Sequence, residues 1–360
     1  MRGRHTRPDH LRASRILAGL IFTGGVVLVI ALLSGGGAGA GGDDEAGSPA
    51  SPVGPSAESS PTEPAPPTTS TTSRETRHTI LIHATGDVSL DPSYIPALAS
   101  NGYGWAWSGL GGLFRRDDLT IINHECPSTD RVAPIPKTFS FRCDPDALPA
   151  ARRAGVDVAN LANNHGYDHG PEGLLDSIRN VRAAGIAPVG VGATERAAER
   201  PALFEIGGWT VAVLGFGEVL DPLDQTAGPH KPGTATGHSL ARKLRAIHAA
   251  DRVADVVIAT IHWGVELDTA PRDYQVQEGH AMIDAGADVI VGHHAHRLQP
   301  MSVYHGRPIF WGLGNFVWPA FSSEGATTAV AEIRVTPTGR FEGRLLPARI
   351  VSDGHPVLTP

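Results

Sequence analysis

The sequence predicts an α/β fold. Short apolar runs alternate with helical patterns, the helical stretches open on Pro or close on Gly, and polar clusters recur just beyond the ends of the apolar runs. With 41% hydrophobic residues in 360, the chain can bury a full core.

The N-terminus reads differently. Residues 1–15 carry five Arg and a single Asp, and Ile16 to Leu33 follows as 18 residues without a charge. As a helix that run would reach about 27 Å at about 1.5 Å per residue, enough to cross a bilayer. The basic flank before it and the acidic 43-DDE-45 after it put the N-terminus in the cytoplasm. The expectation is a single-pass cell-membrane protein, held in the membrane by its N-terminal helix, with an extracytoplasmic C-terminal domain. The alternative is a cleaved signal peptide ending near Ala38-Gly39-Ala40, which would leave a secreted protein, although the run exceeds the usual h-region of about 7–15 residues. Residues 34–77, with 61-PTEPAPPTTSTTS-73, hold too little apolar surface to offset their ordering entropy, so a disordered stalk rich in Gly, Pro, Ser and Thr is expected.

The folded domain is expected over 78–360. Its candidate strands are 79-TILIHA-84, 119-LTII-122, 156-VDVANL-161, 210-TVAVLGF-216, 254-ADVVIATI-261, 287-ADVIV-291 and 308-PIFWGLG-314, with no fixed-period repeat. The run 171-PEGLLDSIRNVRAAG-185 opens on Pro, sets Leu174, Ile178 and Val181 on one face and stops at Gly; a second helix spans about 273–285. The tail reads as a β meander, 329-AVAEIRV-335 and 341-FEGRLLPARIV-351 around the turn 337-PTGR-340. The net charge is −7, and 25 basic groups face 36 acidic ones after residue 15, so no nucleic-acid partner is expected.

Open α/β sheets build sites at the carboxyl ends of their strands. Five such ends carry metal-competent groups: Asp87 in 85-TGDVSL-90, Glu125 in 123-NHECP-127, Asn164 and His165 in 160-NLANNHGYDHG-170, His262 and Glu266 in 262-HWGVE-266, and His294 and His296 in 293-HHAHRLQ-299. A lone His or Asp is more often a cap or a satisfied core group than a ligand, but the same habit at five successive ends points to one centre. In extended backbone His294 and His296 would point the same way, and His293 elsewhere.

These motifs resemble a family. GD, N-x-E-x-P, NLANNH-x-x-D-x-G, HWG-x-E, GHHxH-x-x-Q and LGNF occur in that order over roughly 79–320, and together they resemble the CapA-type proteins of poly-γ-glutamate capsule synthesis, relatives of the calcineurin-like metallophosphoesterases. The resemblance implies a metallophosphoesterase-like β-sandwich flanked by helices, with a metal cluster at its rim. It assigns Asp87 as the first acidic ligand, Asn164 and His165 as the Asn-His pair, His262 as the isolated His, and His294 and His296 as the terminal His-x-His. Glu125 occupies the region of the bridging carboxylate. Two positions depart from the metallophosphoesterase pattern: Ser89 stands where a His is usual, and N-x-E replaces Gly-Asp followed by Asn.

One or two divalent ions, Mn, Fe or Zn, suit so mixed an oxygen and nitrogen donor set. His165, oriented by Asp168, is the expected proton donor. Asn123, Glu266, Arg297 and Gln299 are the expected substrate contacts, with Glu266 also a hydrogen-bond partner for a ligating His. The expected function is a role in capsule poly-γ-glutamate synthesis or export, on that polymer or another anionic one and alongside other membrane proteins. The alternatives are a phosphoesterase-type hydrolase of another anionic envelope substrate, or a non-catalytic polymer-binding accessory protein. Cys126 and Cys143, the only cysteines, are either a disulfide or two buried thiols.

Overall fold

The computed structural model describes residues 76–219, 224–351 and 353–360. The basic N-terminus, the apolar run 16–33 and nearly all of the 34–77 segment lie outside them. The expected membrane localisation is corrected: among the described residues no helix is long and apolar enough to cross a membrane.

The strands in chain order begin with β1 (Ile80–Val88), β2 (Leu119–His124), β3 (Val158–Asn160) and β4 (Ala187–Val189). Next come β5 (Val191–Gly192), β6 (Ala202–Ile206), β7 (Trp209–Gly217), β8 (Gly233–Thr234) and β9 (Val256–His262). After them lie β10 (Val289–His293), β11 (Met301–Tyr304), β12 (Arg307–Phe310), β13 (Asn315–Val317), β14 (Thr327–Val335), β15 (Phe341–Val351) and β16 (His355–Leu358). One sheet has the order β16-β15-β14-β1-β2-β3-β4, with β13 pairing the end of β1; the other runs β11-β12-β10-β9-β7-β6, and β5 and β8 form a small ribbon. The centres of both large sheets are parallel, β1 through β4 in one and β7, β9, β10 and β12 in the other. The meander expected at the tail is antiparallel β14-β15-β16.

Side-chain alternation sorts these strands into layers. On β9, Val256 and Ile258 join a core shared with Ile80, Ile82, Leu119 and Ile121 of the other sheet, while Val257, Ala259 and Ile261 face outward. The outward residues pack under the helices Leu240–Asp251 and Asp273–Asp284 through Ile247 and Met282. On the far side, Val88, Ile122 and Ala159 pack under the helices Leu148–Ala154 and Gly170–Ala183 through Leu148, Leu174, Ile178 and Val181. Both faces of each central strand are therefore buried, which is why the runs read as continuously apolar. The result is the expected α/β sandwich flanked by helices.

The expected strand 308–314 pairs only through Phe310. Beyond it the chain leaves the sheet, because Gln299 N donates to the Gly312 carbonyl at 2.8 Å and Leu313 bridges Leu298.

One irregularity sets up the site. Between Ala84 and Asp87, β1 holds one more residue than its partner β2, since Ala84 pairs with Ile121 and Asp87 with Asn123. Such a bulge re-aims the side chains after it. Ala84 faces the second sheet; the extra residue gives that face to Asp87 and turns Val88 toward the helices. Gly86 is required here, because a Cβ on it would meet the Gly314 carbonyl oxygen at 2.0 Å. Gly86→Ala is expected to destabilise the fold by about 1–3 kcal/mol through overpacking against backbone. An unchanged urea midpoint would show that the bulge tolerates a side chain.

Candidate metal centre

Alternation also predicts which strand-end groups meet. Asn123 and Glu125 continue the inward face of Leu119 and Ile121, His262 that of Val256 and Ile258, and His293 that of Val289 and Val291. With Asp87 turned inward by the bulge, the carboxyl ends of both sheets deliver their polar groups to one buried seam. Asp87, Glu125, His262 and His293 are all sealed from solvent.

Two triads form there. Glu125, His262 and His294 present donor atoms within 4.8 Å of one another, and so do Asp87, Glu125 and His296. Glu125 belongs to both. Its Oε1 lies 3.5 Å from His262 Nε2 and 4.0 Å from His296 Nε2, while His296 Nδ1 lies 3.1 Å from Asp87 Oδ2. Asn164 Oδ1 approaches His262 Nε2 at 2.8 Å, and His294 Nδ1 approaches the same nitrogen at 3.1 Å. All six residues expected as ligands are thus brought together.

His294 and His296 do not do this from extended backbone. Both have positive φ, 89° and 51°, a conformation that costs a non-glycine residue about 1–3 kcal/mol and persists where surroundings enforce it. The turn aims one ring at His262 and the other at Asp87. His293, expected to point elsewhere, bonds Thr260 Oγ1 through Nε2 at 2.8 Å and directs Nδ1 toward Asp87 Oδ1 at 3.8 Å.

The donor set fits a divalent cation. Two buried atoms of the seam, Glu125 Oε1 and His293 Nδ1, have no hydrogen-bond partner, a state that is costly in a native interior. Burial pushes His293 and His294 down to about 4, so both rings are neutral at pH 7, as ligation needs. Burial and its histidine neighbours hold His262 well below the ordinary value. Glu125 is pushed well above the carboxylate range by burial and then by the charge of Asp87, a field that a bound cation would reverse. Asp87 lies below its ordinary value, because the hydrogen bonds and charges around it, led by those of His296, outweigh its burial.

Four expected substrate contacts are placed unequally. Asn123 is corrected: it is sealed behind the carboxylates, where Nδ2 donates to Asp87 Oδ1 at 2.8 Å and Oδ1 accepts from Asn160 at 3.0 Å and Asn163 at 3.4 Å. Gln299 is corrected too, since its buried amide donates to the Asp268 carbonyl at 2.9 Å and pins that loop. Glu266 is exposed at the mouth, and among the described residues no hydrogen bond ties it to a histidine, contrary to its expected pairing. Arg297 is half-buried, donates to the His296 carbonyl at 2.8 Å and lines the cleft.

His165 and Asp168 form a dyad. Asp168 Oδ2 accepts from His165 Nδ1 at 2.8 Å and from the Phe141 N–H at 2.7 Å. Sequence reasoning missed Lys137, whose Nζ donates to Asp168 Oδ1 at 2.7 Å and to the Asn164 carbonyl at 2.9 Å. It also missed Asn160 and Asn163, for which NLANNH held a signal in its run of amides.

Lys137 sits on a loop closed by the disulfide Cys126–Cys143, with Cα atoms 5.6 Å apart. The bond follows Glu125 directly, so one end of the loop is the carboxylate common to both triads. Thiol titration of the denatured, unreduced protein is expected to find no free thiol. Replacing both cysteines by Ala should cost about 3 kcal/mol, the loop-closure value for this loop length; two free thiols in the untouched protein would refute the bond.

Facing sheets between helices, with carboxylates and histidines gathered where their carboxyl ends meet, define an α/β sandwich protein with a strand-end polar centre. Residues 81–320 match the family model described as bacterial capsule synthesis protein PGA_cap, and the chain belongs to that family. It is 33% identical over 235 residues to the PGA biosynthesis protein CapA of Bacillus subtilis (strain 168), a match covering 64% of this chain and 61% of that one. It is 32% identical over 223 residues to the capsule biosynthesis protein CapA of Bacillus anthracis, covering 61% and 54%. The chain thus spans roughly three fifths of the length of the curated relatives it matches. Among solved structures it is similar to the Haemophilus influenzae NAD nucleotidase (NadN), at 13% identity and a TM-score of 0.46, over 78% of this chain and 60% of that one.

Proposed function

We propose that this chain acts in poly-γ-glutamate synthesis or export through a divalent-metal site held by Asp87, Glu125, Asn164, His262, His294 and His296. The observation that carries the reading is the sharing of Glu125 by two triads, the arrangement in which one carboxylate serves two cations. The orphaned Glu125 Oε1 supports it. Family membership and the CapA relatives support the polymer as substrate class. The mixed oxygen and nitrogen donors suit Mn, Fe or Zn.

Bound there, divalent cations would supply Lewis acidity to an amide or ester of the substrate. The chain's own residues do the rest. Asn123 fixes the carboxylates from behind, so they keep their aim without substrate. Asp168 accepts from His165 Nδ1, which fixes the ring and leaves Nε2 as the nitrogen that exchanges a proton with substrate; once the ring has taken up a second proton there, Nε2 would deliver it to a departing atom. Lys137 and the Phe141 N–H lock the Asp168 carboxylate in place.

Elemental analysis of the purified protein is expected to find divalent transition metal that Glu125→Ala abolishes, while His294→Ala and His296→Ala each remove about half. Unchanged metal in Glu125→Ala sinks the site. His165→Ala should keep the metal and lower turnover of a γ-glutamyl amide about 10²–10⁴-fold. Undiminished turnover would remove His165 from the chemistry, and hydrolysis of a generic phosphodiester with none of the γ-glutamyl substrate would favour the phosphoesterase alternative.

A further inference from the structure

We propose that the cleft beside the cluster is a subsite for one amino-terminal γ-glutamyl residue, so that the protein engages poly-γ-glutamate at a chain end and not along its length. The proposal rests on the poly-γ-glutamate reading above.

The cleft has a volume of about 440 Å³ and opens onto His165 and His296. Its inner wall is an aromatic group: Tyr94, Phe141 and Trp318 pack against one another, Trp318 edge-to-face with both others, with ring centroids 4.6 to 5.4 Å apart. Phe141 lies 4.3 Å from the His165 ring, and Trp318 4.9 Å from that of His296. At the outer edge stand Phe139 and Phe321, 64% and 79% exposed. No other phenylalanine among the described residues is exposed, and both line this one cleft. Aromatic groups held in water at the mouth of a polar site mark a place where a ligand presents apolar surface.

The charges narrow the ligand further. Among the described residues Arg297 is the one Lys or Arg lining the cleft, and Glu266 the one carboxylate; Lys137, in the adjoining pocket past Phe139 and His165, is engaged by Asp168 at 2.7 Å. A run of γ-glutamyl units would bring a carboxylate with each unit past Phe139, Phe321 and Glu266, with a single guanidinium to receive them all. Each carboxylate drawn into the cleft beyond the first would give up water for aromatic surface, or meet the like charge of Glu266, with no second cation of the lining to offset it. The amino-terminal residue of a γ-linked chain has a different pattern: a free α-carboxylate for Arg297, an α-ammonium for Glu266, and two methylenes for the aromatic wall. Its γ-carbonyl, the first amide of the chain, is then the group left to face the cluster. The remaining carboxylates stay in water.

The test titrates the full chain, as purified with its metal, by calorimetry with γ-glutamyl-γ-glutamate, the same dipeptide N-acetylated, and long poly-γ-glutamate. The dipeptide and the polymer are expected to bind with similar affinity per amino terminus, and acetylation to weaken the dipeptide at least tenfold. Glu266→Gln, a change at an exposed position that leaves the fold intact, should erase most of that tenfold difference; Arg297→Gln should weaken both forms. Affinity that rises with chain length while the dipeptide fails to bind, or acetylation without effect, overturns the end-binding proposal and leaves the polymer reading standing. If no γ-glutamyl ligand of any length binds the metal-replete protein, the polymer reading itself falls, and this proposal with it.

Discussion

Everything in the centre follows from placing two carboxylates, Asp87 and Glu125, where no solvent reaches them. Two like charges in a dry seam repel and lose their hydration, which is why Glu125 is pushed so far up. No Lys or Arg ion-pairs with either carboxylate among the described residues; the basic groups against them are histidine rings. The seam is therefore an electrostatic deficit built into the fold, and a divalent cation is the compact way to relieve it. Three of the rings around it agree, since burial holds His262, His293 and His294 below their ordinary value; His296 is mostly buried too, but its contact with Asp87 raises it.

The carboxylates keep their aim because of amides. Asn123 bonds Asp87 on one side and accepts from Asn160 and Asn163 on the other, linking β1, β2 and β3 through side chains at the level where their backbone ladder ends. Asn163 Oδ1 in turn accepts from the His165 N–H at 3.1 Å. The proton-donor candidate and the carboxylates thus hang from one network, and a connected polar network of this kind specifies a single geometry. It also explains why NLANNH holds three asparagines: one faces His262 from the front, and two support Asn123 from behind.

Much of this was legible in the sequence, for a physical reason. Strands buried on both faces are largely apolar, so β1, β2, β7, β9 and β10 announced themselves, and polar residues recurring at their carboxyl ends pointed to one seam, although His124 and Glu218 at such ends turn to Ser128 and Lys243 instead. The illegible parts depend on single-residue geometry. Nothing in TGDVSL states that β1 carries an extra residue, yet that bulge decides which way Asp87 points. Asn123 was expected to meet substrate, but the same alternation that aims Glu125 inward carries Asn123 inward as well, behind the carboxylates. The positive φ at His294 and His296 ran against the expectation of extended backbone. Lys137 was silent because its partner, Asp168, lies 31 residues away and only the folded loop joins them.

The Cys126–Cys143 bond makes the intervening loop a covalent ring hung from the end of β2. Within that ring lie Lys137, Phe139 and Phe141, which touch the dyad or wall the cleft; at its root lies Glu125. Different positions of the ring therefore carry different constraints. Phe139, exposed at the mouth, can vary without disturbing anything behind it, whereas Lys137 and the Phe141 N–H hold Asp168 and the Asn164 carbonyl. A loop grafted whole from a relative would keep the arrangement behind it only if it brought those two contacts along.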